Sequence, residues 1–350
     1  HIHDACTKAG LPSPDIVTES GRRLVAHHSV LCVAGSRVSR NSRDGQVVRA
    51  ARSEADIVQE MRDNLSRLSR KTMLETYHDA ISLRDEMLSR FNLGLVDLPT
   101  RALCEDIFFA TCDRVSNLVK SLDYVPEEFE GLQKLVSDTY FCNFSVFQSV
   151  PDHWALRHVF PVMPLQRLNE EPTVRAVLGD MTCDSDGKID RFPDLRDVKE
   201  VLEVHPLQNN ESYVVGIFLV GAYQEILGDL HNLFGDTDTV HVDFDAGGQV
   251  RLVDRLQGEP VGKVLSYVGY NEEWLMNRYD KSLARLVEKG DLTPNEAQEV
   301  RDDLILGLRS NTYLTAGSVR AVRQDDLVEQ EPAPEGGNGD GNGNGNGSSG

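Results

Sequence analysis

The hydrophobic repeat changes period along this 350-residue chain, so no single layer of secondary structure can accommodate all of it. Near the start, Ile16-Val17-Thr18 and residues 29–34 are short apolar runs of strand type, separated by a turn at Glu19-Ser20-Gly21-Arg22 and a brief helix over 23–27. That order is a βαβ fragment and implies parallel sheet. After a polar loop (35–45) the period becomes helical. Ser53 with Asp56 makes a capping box, followed by Ile57, Met61, Leu65 and Leu68. A second helix carries Leu74, Tyr77, Ile81, Leu88 and Phe91, a third covers about 100–122, and the helices are expected to pack on one another. From Tyr140 short strand-like runs take over, at 144–147, 159–162, 174–178 and 213–220, as in a β-sandwich or barrel. A hairpin follows, with His241-Val242-Asp243-Phe244-Asp245 and 250–253 joined through Gly247-Gly248. After Pro260 the chain is helical again, and Thr293-Pro294-Asn295-Glu296 combines an N-cap, a proline in the first turn and a capping glutamate. Beyond about Asp325 the acidic Gly/Asn-rich stretch carries too little apolar surface to fold.

A formal charge of −20 argues against nucleic acid and anionic membrane, which both need a basic face. The longest apolar run, 214–220, is far short of the roughly 20 residues that cross a bilayer, and no signal peptide is visible. Cys6, Cys32, Cys104, Cys112, Cys142 and Cys183 are too scattered for a zinc or redox motif and read as reduced thiols of a cytoplasmic protein. Cys104 and Cys112 fall on one helix face, where two buried thiols are the expected outcome. The chain opens with His1, within an amphipathic stretch, and is expected to be part of a longer polypeptide.

Three short motifs carry chemistry. Cys183-Asp184-Ser185-Asp186-Gly187 sets a thiol beside two carboxylates on a tight, exposed turn. Most free cysteines are structural core residues, but these neighbours disfavour a core position, and a thiol between carboxylates suits proton donation better than nucleophilic attack. A calcium loop with Gly187 in its sixth position would run from Thr182 to Pro193 and lose its first and last ligands, which excludes an EF-hand. Glu19-Ser20-Gly21-Arg22 offers a carboxylate, a flexible backbone position and a planar guanidinium suited to phosphate; a solvated surface turn is the commoner explanation of four such residues. Gly221-Ala222-Tyr223 follows an apolar strand, where a tyrosine is by default a core or rim aromatic.

Together with Pro164-Leu165-Gln166-Arg167-Leu168-Asn169-Glu170-Glu171-Pro172, Tyr77-His78-Asp79-Ala80 and Gly221-Ala222-Tyr223-Gln224-Glu225, these motifs resemble the carboxy-terminal half of the biosynthetic arginine decarboxylases, which belong to the pyridoxal-phosphate-dependent ornithine, diaminopimelate and arginine decarboxylases. The resemblance runs from about Asp15 to Thr315 and implies an α/β architecture. It comprises the end of an alanine-racemase-like, pyridoxal-phosphate-binding (β/α)8 barrel (1–45), an inserted helical bundle (46–139), a β-sandwich or barrel domain with the active-site loop (140–258), a helical region (259–324) and a disordered acidic Gly/Asn-rich tail (325–350). It further implies that Glu19 pairs with the cofactor's pyridine nitrogen, that Gly21, Arg22 and Tyr223 hold its phosphate, that Asp184 binds the distal cationic end of the substrate, and that Cys183 protonates the substrate carbon. The implied reaction is decarboxylation of L-arginine to agmatine and carbon dioxide, at the head of a route to putrescine and spermidine, in a homo-oligomer with active sites shared between subunits and with magnesium as an associated ion. The family's Schiff-base lysine lies upstream of the matching region, so this segment alone is expected to be inactive. Asp152 lies in a further stretch similar to the family, with no role attached. Decarboxylation of ornithine, lysine or diaminopimelate, and a noncatalytic regulatory homologue, remain as alternatives.

Overall fold

The computed structural model describes residues 1–40, 55–120, 122, 126–129, 131–195, 197–208 and 212–314. The expected cap at Ser53 and the tail from Asp325 lie outside them. The chain divides into compact units after Tyr313, and the description below concerns the first.

Helix α1 (Ile2–Ala9) stops at Gly10, whose φ of 67° is the left-handed conformation that glycine adopts without penalty. Residues 11–20 form neither helix nor strand, and no ladder pairs them. The strand expected at Ile16-Val17-Thr18 is therefore not formed, and Ile16 and Val17 stand 65% and 95% exposed. Helix α2 (Gly21–Val25), continued by a 3-10 turn (Ala26–His28), leads into β1 (Val30–Ser39). The helix at 23–27 and a strand from Val30 agree with the sequence reading, but the parallel arrangement does not. Strand β1 pairs antiparallel with both neighbours, β2 (Asp138–Cys142) and β9 (Tyr213–Phe218). The apolar run 30–34 does not decide strand direction, and it is not buried on both faces: Val33 is buried, whereas Val30 and Cys32 are exposed.

Helices α3 (Asp56–Ser66), α4 (Met73–Asn92) and α5 (Leu98–Val119) form the bundle. Ile57, Met61 and Leu65 from α3 meet Tyr77, Ala80 and Met87 from α4 and Cys104, Ile107, Phe108 and Val115 from α5, with Phe129 and Leu132 closing the cluster. Asp97 starts α5 by accepting from the Thr100 backbone N–H at 2.9 Å. Cys104 and Cys112 are both buried as expected, and burial pushes the Cys112 thiol up to about 12.

After α6 (Leu132–Leu135) and β2 come α7 (Val146–Ser149) and α8 (Pro151–Leu156), where the sequence suggested a strand at 144–147. Ser145 accepts from the Gln148 N–H at 3.3 Å and Pro151 sits in the first turn of α8; these two local signals override the β-type character of Phe144, Val146 and Phe147. The sheet is completed by β3 (Val162–Pro164), β4 (Val174–Gly179), β5 (Lys188–Ile189) and β8 (Leu202–Val204), with β6 (Phe192–Pro193) and β7 (Val198–Lys199) as a separate pair. Its order is β3-β9-β1-β2-β4-β5 with β8 on β4; β2 and β4 are parallel and the other pairs antiparallel. The sheet curls towards closure: Arg167 Nη1 donates to the Pro206 carbonyl (3.0 Å) and His205 Nε2 lies 3.1 Å from the Glu170 carbonyl, which joins the exits of β3 and β8. Inside lie Val33, Tyr140, Phe144, Phe160, Leu178, Ile189, Phe192, Tyr213, Val215 and Ile217.

The expected hairpin is β10 (Thr239–Phe244) with β11 (Val250–Leu256), turned at Gly248 with φ 78°. Helices α9 (Val261–Tyr267), α10 (Glu272–Lys289) and α11 (Pro294–Arg309) follow. The reciprocal Thr293–Glu296 capping box is present, at 3.3 Å from the Glu296 N–H to Thr293 Oγ1 and 2.7 Å from the Thr293 N–H to Glu296 Oε2.

Candidate active site

The chain leaving β9 bends through Leu219 at φ 63° and reaches Gly221, whose N–H donates to the Ala26 carbonyl at 2.9 Å. Only glycine fits there. A Cβ at 221 would lie 2.2 Å from His28 Nδ1 and 2.5 Å from the Val25 carbonyl oxygen, well inside contact distance. This approach brings the turn after β9 against α2. Tyr223, itself at φ 70°, lies beneath Arg22, with the guanidinium carbon 5.0 Å from the ring centroid. Its hydroxyl faces Gly21, at 3.6 Å from where a Cβ would stand. Gly21 and Arg22 therefore meet Tyr223, which is distant from them in sequence. Glu19 stays exposed on the segment before α2, and among the described residues no hydrogen bond or ion pair ties it to this group.

Behind Arg22 is a buried polar pair. Asp152 on α8 is 4% exposed and Gln224 1% exposed. Arg22 Nη2 lies 2.8 Å from Asp152 Oδ2. Gln224 Nε2 donates to the same oxygen at 2.8 Å and to the Ala222 carbonyl at 2.9 Å, while its Oε1 accepts from the Asp152 N–H at 3.2 Å. Burial opposes ionisation of Asp152, but the hydrogen bonds from Gln224 and Arg22 and the Arg22 charge outweigh it and hold the carboxyl below its ordinary value. His158 is pushed the other way from a charged state: burial, then the nearby Arg22 charge, lower its pKa.

Cys183 and Asp184 lie on the loop from β4 to β5, which is folded around Asp180. Asp180 Oδ1 accepts from Thr182 N–H (2.8 Å) and Thr182 Oγ1 (2.7 Å), and its Oδ2 accepts from the Val146 N–H at the start of α7 (2.9 Å). Gly187 closes the loop, since a Cβ there would fall 2.3 Å from Asp180 Oδ1. The loop thereby presents Cys183 outward, exposed as expected. Asn232 Nδ2 donates to the Cys183 sulfur at 3.4 Å, and His231 Nε2 lies 3.4 Å from Asp184 Oδ2 without hydrogen-bond geometry. Asn232 holds φ 55°, a left-handed conformation that asparagine tolerates better than most residues. The His231 ring packs on Phe147 of α7 (4.4 Å between centroids), and Phe147 on Trp154 of α8 (5.3 Å). The α7–α8 segment thus touches both groups, while no hydrogen bond, ion pair or ring contact among the described residues joins Cys183 or Asp184 directly to Arg22 or Tyr223.

Sequence reading left Gln224, Asp180, His231 and Asn232 without roles. The adjacency of Gln224 to Tyr223 and the left-handed tolerance of asparagine were signals that pointed to two of them. Among the described residues no group of three or more His, Cys, Asp or Glu side chains is placed to hold a metal ion. No helix among them is long and apolar enough to cross a membrane.

Residues 51–133 match the arginine decarboxylase helical bundle domain and residues 261–314 the arginine decarboxylase C-terminal helical extension. Over 90% of its length the chain is 42% identical to the biosynthetic arginine decarboxylase of Nostoc sp., covering 46% of that protein. Against the biosynthetic arginine decarboxylase of Bacteroides thetaiotaomicron it is 43% identical over 89% of its length and 49% of the relative's. The chain is homologous to the biosynthetic arginine decarboxylases. Its fold agrees: the crystal structure of the biosynthetic arginine decarboxylase of Campylobacter jejuni superposes with a TM-score of 0.71 at 29% identity, covering 90% of this chain and 50% of that one. The chain spans about half the length of the curated arginine decarboxylases it matches. The mixed α/β architecture, with an inserted helical bundle, a nearly closed β-domain and terminal helices, is therefore that of its arginine decarboxylase relatives.

Proposed function

We propose that this chain forms the phosphate-holding, substrate-binding and proton-donating part of an enzyme that decarboxylates L-arginine to agmatine and carbon dioxide, feeding putrescine and spermidine synthesis in the cytoplasm. The observation that supports it most is the convergence of Gly21, Arg22 and Tyr223. The missing side chain at 21 leaves the approach to the tyrosine hydroxyl open, and a planar guanidinium flanks it, which together suit a phosphate monoester. Pyridoxal phosphate, when bound, supplies the electron-accepting ring that makes carbon dioxide loss feasible. Arg22 and Tyr223 would hold its phosphate, and Glu19 would keep its ring nitrogen protonated. Asp184 would bind the distal guanidinium of arginine as a carboxylate partner. Cys183 would return a proton to the substrate carbon. The Asn232 amide donates to the Cys183 sulfur, leaving the thiol proton free to be given up. Because Cys183 and Arg22 belong to separate groups of contacts, the reading includes a homo-oligomer in which the loop of one subunit completes the site of another. No step is assigned to magnesium.

The test is carbon dioxide release from labelled arginine, set against ornithine, lysine and diaminopimelate, by the native protein that carries this chain, supplied with pyridoxal phosphate. Arginine-selective release is expected, and Cys183→Ala should slow turnover by on the order of 10²-fold or more, as for loss of a positioned proton donor, with cofactor binding intact. Release from another amino acid would overturn the specificity, and release from none would overturn the reading.

A further inference from the structure

We propose that Asp152, locked by Gln224, is a positioning residue that fixes the Arg22 guanidinium over Tyr223 and so presets the phosphate-holding group; this rests on the functional reading above.

A carboxylate 2.8 Å from the guanidinium opposes binding of a second anion beside it, because it cancels much of the arginine's charge. Were attraction alone important, Arg22 would serve better without Asp152. Yet Asp152 is almost wholly buried, and every contact around it constrains rather than frees it. Gln224 grips both its carboxylate and its backbone N–H, and spends its remaining donor on the Ala222 carbonyl next to Tyr223. The amide is thereby satisfied from three directions and cannot turn without breaking buried bonds. One rigid unit therefore links α8, the turn after β9 and α2, and Arg22 is its single outward-reaching member, with its side chain 35% exposed.

A free arginine side chain must be ordered when it grips a phosphate, and that ordering weakens binding. The shortest contact of the carboxylate is with Nη2, and an incoming anion would be met by the outward part of the planar fork. The guanidinium carbon lies over the Tyr223 ring at 5.0 Å from its centroid, and the tyrosine hydroxyl lies against the neighbouring Gly21. Orientation gained outweighs charge lost, which fixes the sign of the predicted effect.

The experiment measures equilibrium binding of pyridoxal phosphate and of pyridoxal, which lacks the phosphate, by absorbance and fluorescence in the native protein. Asp152→Asn keeps the shape and removes the charge. It should weaken pyridoxal phosphate roughly three- to tenfold, the weight of one long side chain left to be ordered on binding, while pyridoxal stays within about twofold. Gln224→Met keeps the side-chain length and removes the clamp; it should act in the same direction and serves alone where Asp152→Asn fails to fold. In an Arg22→Ala background Asp152→Asn should add nothing further. Tighter binding of pyridoxal phosphate by Asp152→Asn would mean that charge cancellation dominates and would overturn the proposal. So would equal losses for both ligands, additivity with Arg22→Ala, or a change confined to the KM for arginine. No binding of pyridoxal phosphate by the unmutated protein would overturn the functional reading as well, so the two failures are distinct.

Discussion

Gly221→Ala tests whether the close approach between the turn after β9 and the α2 region assembles the group proposed to hold phosphate. The new methyl would meet two atoms of different compliance. His28 Nδ1, at 2.2 Å, belongs to an exposed ring that can swing aside, though it then leaves its contact with the Val25 carbonyl. The Val25 carbonyl oxygen, at 2.5 Å, is backbone, and reaching even a tight 3.0 Å contact requires the two segments to part by 0.5 Å. That parting stretches the Gly221 N–H to Ala26 carbonyl bond, now 2.9 Å. Overpacking of this kind costs about 1–3 kcal/mol, and a weakened backbone hydrogen bond about 1 more, for a total of roughly 2–4 kcal/mol. For a chain of this size the Tm should fall by on the order of 3–5 °C. The same displacement carries Tyr223 away from Arg22, so affinity for pyridoxal phosphate should fall while that for pyridoxal changes little. Gly307→Ala is the control: nothing lies within 4 Å of its Cβ position and it sits in α11, where alanine should be neutral or stabilise by up to about 1 kcal/mol. Thermal unfolding followed by circular dichroism gives both values. A Gly221→Ala protein that melts within about 1 °C of the parent and keeps its cofactor affinity would refute the reasoning, since the glycine would then not be required by the approach.

Other perturbations probe separate parts of the molecule. Thr293→Ala removes the hydroxyl that accepts from the Glu296 N–H at the start of α11, while the backbone N–H of residue 293 can still donate to Glu296, and should cost about 1 kcal/mol, read from chemical denaturation; a loss below a few tenths would show that the hydroxyl cap contributes nothing net. Asp190 is opposed by burial but held below its ordinary carboxyl value by Lys134 at 3.0 Å and Lys188 at 3.6 Å, and Asp152 is likewise depressed. A carboxyl with a lowered folded pKa stabilises fully above the ordinary carboxylate range, around 4, and that contribution disappears as pH falls from there through the folded value. The stability gap between the parent and Asp190→Asn, measured by urea unfolding, should therefore be constant from pH 7 to about 5 and close in more acid solution; a gap that persists unchanged at pH 3 would rule this out. Buried His153, whose pKa is lowered chiefly by burial, acts earlier in the same descent. The unfolded chain takes up its proton first, so stability should begin to fall from about pH 6.5, and His153→Gln should remove that part of the slope.

What could be read from the sequence is what neighbouring residues decide among themselves. The capping box at Thr293, the hairpin turned by Gly247-Gly248 and the helical spacing of Ile57, Met61 and Leu65 are local statements, and each recurs in the fold. Strand direction is not such a statement. Residues 30–34 are apolar either way, and their antiparallel ladder to residues 214–218 depends on partners more than a hundred positions distant. At 144–147, a single serine cap and a following proline reversed the expectation raised by bulky apolar residues. The site divides along the same line. Gly21, Arg22 and Tyr223 were recognisable because their motifs are contiguous, whereas their meeting depends on a clash that only glycine at 221 avoids, and their rigidity on a buried Asp152–Gln224 pair spanning 72 positions. A guanidinium whose fork is fixed from behind and a hydroxyl opposite a bare backbone position are properties of the assembled turn, not of any motif within it. It follows that substitutions which leave every motif residue in place, at 152, 221 or 224, should impair phosphate binding as surely as substitutions within the motifs themselves.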